Sequence, residues 1–206
     1  MKKVAVDLHF LPCLEFFSAI IQAEEILISP SELYQRQSYL NRTRISLANK
    51  IETLSVPIQG RRPRVPLSRV KIDYSQNWQK IHLRGIQSAY GKAPFYEFYF
   101  PYLEPIYLKE HASLWDLNYE MLTICLKLLK YSGKVTVCRN FDEEEFDLDL
   151  RGQISPSGTF LERNLYDPVP YTQLFGLDFE PNLSVIDILF CTGPEAKKLL
   201  LRSIKI

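Results

Sequence analysis

A chain of 206 residues, 46% hydrophobic and 13% aromatic, can bury the core of one substantial domain, and this composition is not that of a disordered protein. Its 25 Lys/Arg against 24 Asp/Glu leave a formal net charge of +1, so no global charge argues for nucleic acid. No apolar run approaches the roughly 18 residues of a membrane span, and the N-terminal Met1 to Asp7 meets a charge too early for an ordinary signal peptide. Cys13, Cys125, Cys138 and Cys191 are widely spaced without a CxxC pair, which points to the reducing cytoplasm. The charge is unevenly spread. Residues 1–103 carry 14 Lys/Arg against 8 Asp/Glu, and residues 104–206 carry 11 against 16.

Val4 to Leu8 reads as a strand, and His9-Phe10-Leu11-Pro12 as a turn. Leu14 to Ala23 has helical apolar spacing, and Ile26-Leu27-Ile28 reads as a second, buried strand. Strand, turn, helix and strand in the first 28 residues predict a βαβ unit. Ligands in such folds sit beyond the carboxyl ends of the strands, which puts His9 and its neighbours at the expected rim. Arg44–Leu47 and Thr53–Ile58 suggest a hairpin turning at Asn49-Lys50. The segment from Gln59 to Ser68, with Gly60, Pro63 and Pro66, reads as a loop, and Val70-Lys71-Ile72 as a strand.

Ser75 can cap a helix whose apolar face carries Trp78, Ile81, His82, Gly85, Ile86 and Ala89. A further helical stretch is expected from Tyr102 to about Lys109. Ser113 caps a longer helix to Leu129 with a buried stripe. Val135 to Cys138 is a strand, and the six acids from Asp142 to Asp149 read as a solvated edge or loop. Asn182 or Ser184 can cap an apolar helix through Leu189, and Pro194 opens a last one ending near Leu201. These elements predict a single α/β domain over residues 1–206, with a mixed or mostly parallel central sheet flanked by helices and opening with a βαβ-like unit.

Several clusters are candidates for chemistry. Arg61, Arg62, Arg64, Arg69 and Lys71 fall within eleven positions, and guanidinium forks suit phosphate or carboxylate oxygens; a solvated loop is the plainer alternative. Tyr39, Asn41 and Arg42 can orient an anionic or sugar-like ligand or form a structural network. Lys80 and His82 lie on one predicted helix. His82 is a candidate proton carrier near neutral pH, and a packed histidine beside Trp78 is the alternative. Asn118 and Asn182 complete the expected binding set. Asp187 is a candidate acid whose burial would demand a partner, and holding the basic N-terminal half in place is its structural alternative. His9, His82 and His111 lack metal-ligand spacing, so no metal site is expected. No GxGxxG, GxxxxGK[ST] or GxSxG motif is present.

Across nearly the full length, the chain resembles the WbqC-like family. The likeness runs through Leu11-Pro12-Cys13-Leu14-Glu15-Phe16-Phe17, Gln37-Ser38-Tyr39-Leu40-Asn41-Arg42, Ile72-Asp73-Tyr74 and Trp78-Gln79-Lys80-Ile81-His82. It continues in Ser88-Ala89-Tyr90, Leu114 to Asn118, Pro181 to Phe190 and Gly193-Pro194-Glu195. The resemblance implies a bacterial protein that makes or modifies surface glycans, such as O-antigen. The expected activity is that of a transferase or related enzyme acting on a nucleotide-linked sugar or another activated anionic small molecule. A noncatalytic binding or scaffold protein of the same pathway and a nucleotidyltransferase-like enzyme are the alternatives. No cofactor is specified, and no nucleic-acid partner is expected.

Overall fold

The first strand, β1 (Lys3–Ala5), feeds helix α1 (Leu14–Ile20), which returns the chain to β2 (Glu25–Ile28) parallel to β1, with Val4 opposite Ile26 and Ala5 opposite Leu27. This is the expected βαβ unit, formed because Val4, Ala5, Ile26, Leu27 and Ile28 make short apolar runs suited to a strand covered on both faces. The computed structural model describes residues 3–60, 64–176 and 178–205. Two further strands, β5 (Lys134–Val137) and β6 (Leu148–Asp149), complete a four-stranded parallel sheet in the order β5-β2-β1-β6. Side chains alternate across it. Val4, Ile26 and Ile28 face the main core, while Ala5 and Leu27 pack on the other side against Cys138, Phe141 and Phe146.

Between β2 and β5 lie an antiparallel hairpin, β3 (Arg42–Leu47) and β4 (Lys50–Ser55), and the helices α2 (Trp78–Tyr90), α3 (Tyr96–Leu108) and α4 (Leu114–Leu128). After β6 come α5 (Phe160–Arg163), α6 (Val185–Thr192) and α7 (Ala196–Arg202). Helix α6 is buried along Val185–Phe190 and packs against α1, α2, α3, α4 and α7, as an apolar helix at the centre of a core must. The result is an α/β domain with a mostly parallel central sheet flanked by helices.

Local expectations fail where tertiary contacts compete. The hairpin turns at Ala48-Asn49, one residue before the expected dipeptide. Ser75 does not cap α2. Its hydroxyl donates to Asp73 Oδ1 at 2.6 Å, and the helix begins at Trp78, leaving Ile81 exposed. Helix α3 starts at Tyr96, before the expected boundary, and runs through Pro101 and Pro105; the buried rings of Tyr96 and Tyr107 anchor its two ends. Residues 67–69 form a short 3-10 turn, and Ile72 makes a single bridge to Ile58 instead of a strand. Ser113 caps α4 as expected, its hydroxyl accepting from the Asp116 amide at 3.2 Å.

Candidate functional site

Because all four strands of the sheet run the same way, their carboxyl ends meet at one edge, where the chain leaves each strand into a crevice of about 490 Å³. Each strand contributes a polar group. Asp7 follows β1, Ser29 and Glu32 follow β2, Arg139 and Asn140 follow β5, and Asp149 and Arg151 come from the end of β6. Ligand crevices at this edge are a general property of open parallel sheets.

Asp7 and Glu32 line the crevice together, close enough for one carboxyl to act on the other. Desolvation, then the adjacent carboxyl of Asp7, push the Glu32 carboxyl well above the usual range, against the opposing pull of the Leu8 amide. That amide donates to Glu32 Oε2 at 3.1 Å, and the Glu32 carbonyl accepts from Leu67 N at 2.7 Å, so both side chain and backbone are fixed. Asp7 Oδ2 accepts the amide hydrogen of Gly152, whose φ of +69° turns that amide toward it, a conformation glycine adopts without strain. A carboxyl raised in this way, beside a second one in the same crevice, is a candidate for moving a proton.

The arginines differ in their engagement. Arg151 is spent on Asp149, with Nε and Nη2 donating to its two oxygens at 2.8 and 2.6 Å, and its guanidinium stacks 4.2 Å over Phe141. Arg139 is exposed at the rim and makes no ion pair among the described residues. With Asp7, Glu32, Asp142 and Asp149 against these two arginines, the crevice suits hydroxyl- or ammonium-bearing groups better than a polyanion.

The residues expected from sequence fall elsewhere. His9 is buried against Phe16 and Tyr39 instead of standing at the rim, and burial holds its imidazole at about 4. His82 sits among Phe10, Trp78 and Tyr107, lowered to about 4 by burial, with Nε2 3.2 Å from the Ser55 carbonyl. Asp187 is buried on α6. Its Oδ2 accepts from the Tyr171 hydroxyl and from Gln173 Nε2 (3.0 Å), and burial raises its pKa. Neither His82 nor Asp187 reaches the carboxyl pair's crevice.

Asn182 does not cap α6. It caps α1, with Oδ1 accepting from Glu15 N at 2.9 Å and Nδ2 3.2 Å from Glu15 Oε2. Glu15, fully buried, is held by the guanidinium fork of Arg163 at 2.7 Å on each oxygen. Tyr39 is buried beside His9, and burial raises its hydroxyl far above the ordinary value. Asn118 Nδ2 donates to Leu8 O (2.9 Å) and Leu40 O (2.7 Å), tying α4 to the segment that holds Glu32. Asn41 and Arg42 line a separate cleft behind the 31–37 segment, Lys80 is exposed on α2, and Arg61 and Arg62 lie outside the described residues.

Asp7, Glu32, Arg139 and Arg151 were missed by sequence reasoning. The rule that sent attention to His9 applies equally to the first polar residue after β1, which is Asp7. Arg151 had no such signal, because β6 is only two residues long and lies inside an acidic run. Among the described residues, no three His, Cys, Asp or Glu are grouped to hold a metal ion, and none of the helices is long and apolar enough to cross a membrane. The four cysteines are free, and burial pushes the Cys13 thiol up to about 12, away from nucleophilic reactivity.

The architecture defines an α/β protein with a polar crevice at the carboxyl edge of its parallel sheet. The chain belongs to the WbqC-like protein family, whose model matches residues 8–158 and 155–199. It is similar to the uncharacterized protein Rv1507c of Mycobacterium tuberculosis (strain ATCC 25618 / H37Rv), 26% identical over 228 residues that cover 97% of this chain and 98% of that one. No solved structure matches it.

Proposed function

We propose that the protein is a group-transfer enzyme of surface-glycan biosynthesis, acting on a nucleotide-linked sugar or another activated anionic small molecule. The Asp7–Glu32 pair is its proton-handling centre. The observation that carries this reading is the pair's position, two carboxyls together with one of them raised, in the crevice at the carboxyl edge of the sheet. In the proposed step, the ionised carboxylate takes the proton of an acceptor hydroxyl or amine as its lone pair attacks the donor's electrophilic carbon. The bond to the leaving phosphate breaks, and the phosphate carries away the bonding electrons. Asn140 and Ser29 at the same rim can orient acceptor hydroxyls, and Arg139 supplies a cation free of ion pairs among the described residues. The surface-glycan setting follows from the resemblance to the WbqC-like family.

The test is release of free nucleotide from nucleotide-linked sugars by the purified full chain, with hydroxyl- and amine-bearing acceptors. Turnover is expected in wild type and reduced by about 100-fold or more in Asp7→Asn and Glu32→Gln. Undiminished turnover in both variants would remove the pair from the chemistry. Tight binding of an unchanged donor without turnover would make the chain a noncatalytic binding module.

A further inference from the structure

The segment after β2 separates two cavities. Leu33 and Gln35 line the carboxyl-pair crevice, while Tyr34 and Arg36 line a second cleft of about 750 Å³ on the other side. Leu33, Tyr34 and Gln35 alternate as successive side chains of extended backbone do, and Arg36 follows in a turn on the Tyr34 side. It is fixed by Tyr34 N donating to Val65 O at 2.9 Å and Arg64 N to Tyr34 O at 3.1 Å.

The chemistry of the second cleft is the reverse of the first. Tyr34, Arg36, Gln37, Asn41, Arg42, Ser55 and Gln76 supply its polar lining, and no carboxylate is among its lining residues. Arg36 and Arg42 make no ion pair among the described residues, whereas Arg44, two positions along the same strand, pairs with Glu180 at 3.6 Å. Arg42 Nε is buried without a hydrogen-bond partner among the described residues, a costly arrangement unless a ligand supplies an acceptor. Arg36, Arg42 and Tyr34 all line this one cleft. Its wall is rigid: the Tyr34 hydroxyl donates to Asn41 Oδ1 at 3.2 Å, and Asn41 Nδ2 donates to the Val56 carbonyl at 2.8 Å.

We infer that this cleft binds the phosphate-bearing part of an anionic ligand, with Arg36 and Arg42 as its guanidinium clamp. Paired guanidinium forks match phosphate oxygens in geometry as well as charge, and the volume lies within the usual range for small-molecule sites. The assignment rests on the transfer reading only for the ligand's role as donor. It places the donor's charge on the Tyr34 and Arg36 side of the 33–36 segment and the proton-handling pair on the Leu33 and Gln35 side.

Binding is measured without turnover, so the two readings fail separately. The probe is pyrophosphate, titrated calorimetrically into the full chain, with UDP and succinate as further arms. Pyrophosphate and UDP are expected to bind and to weaken about 10- to 100-fold in Arg42→Ala and in Arg36→Ala, while Glu32→Gln leaves them within about twofold. Arg36 is exposed, so its variant decides the matter even if Arg42→Ala unfolds. UDP binding well above pyrophosphate identifies a nucleotide source, and equal affinities identify a phosphate site without nucleoside contacts; both support the clamp. The inference is overturned by equal or tighter binding of succinate, by no binding of pyrophosphate or UDP up to about 10 mM, or by unchanged affinity in both arginine variants. Loss of binding in Glu32→Gln alone overturns it too.

Discussion

The Glu32 and Asp7 carboxyls share one crevice beyond the ends of the two central strands, in residues 25 positions apart in the chain, and the Asp7 carboxyl helps to raise that of Glu32. A raised carboxyl in the folded state binds more protons than in the unfolded chain over the window above its ordinary value of 4.5. Its contribution to stability is therefore greatest below that value and is lost as pH rises through the folded pKa. Glu32→Gln cannot ionise, so its melting temperature relative to wild type is expected to climb as pH is raised from about 4.5 toward about 8. A difference that stays constant with pH would mean that Glu32 is not raised.

His82 has the opposite sign. Its folded pKa of about 4 lies below the ordinary 6.5, so its contribution is present above about 6.5 and is lost as pH falls toward about 4, by at most on the order of 3 kcal/mol. His82→Ala is expected to cost about 2–4 kcal/mol at neutral pH by emptying the space among Phe10, Trp78 and Tyr107. It should also flatten the acid limb of the stability profile. Urea unfolding at several pH values measures both effects, and an unchanged acid limb would mean that His82 titrates normally.

Arg163→Ala leaves the Glu15 carboxylate, fully buried, with Asn182 as its remaining hydrogen-bond partner among the described residues. The expected cost is about 3–5 kcal/mol by urea unfolding, because an uncompensated buried charge remains. The double variant Glu15→Gln with Arg163→Ala should recover part of that loss, since it removes both charges. No recovery would trace the cost to packing of the arginine stem.

Asn118→Ala deprives the Leu8 and Leu40 carbonyls of their donor, at about 1–3 kcal/mol for each group left unpaired. Leu8 also gives its amide to Glu32, so the loss reaches the crevice. Beyond the drop in stability, the pH dependence assigned to Glu32 should weaken, read as a smaller gap between Asn118→Ala and Asn118→Ala/Glu32→Gln as pH rises. A gap matching the wild-type pair would confine Asn118 to a packing role.

The opening unit and several helix boundaries were legible in the chain because their causes are local. Short apolar runs flanked by turn residues mark β1 and β2, apolar spacing marks α1, and Ser113 followed by Asp116 marks the start of α4. The same locality made the family resemblance readable, since short ordered motifs survive as sequence. Asn41 and Arg42 were legible as candidates for the second cleft, because polar residues beside apolar strand positions stand out in sequence.

The carboxyl-pair crevice was decided by tertiary structure alone. Asp7, Glu32, Arg139 and Arg151 span most of the chain and share no spacing; they meet because the strand order β5-β2-β1-β6 brings four parallel carboxyl ends to one edge. Asn182 is a cap, as its residue type suggests, but for a helix 167 positions away, because its carbonyl oxygen reaches the α1 amides only after α6 docks beside that helix. Residue type determined what each side chain can do, and packing decided which partner it does it with, since hydrogen bonds and charge pairs act over a few ångströms of space whatever the separation along the chain.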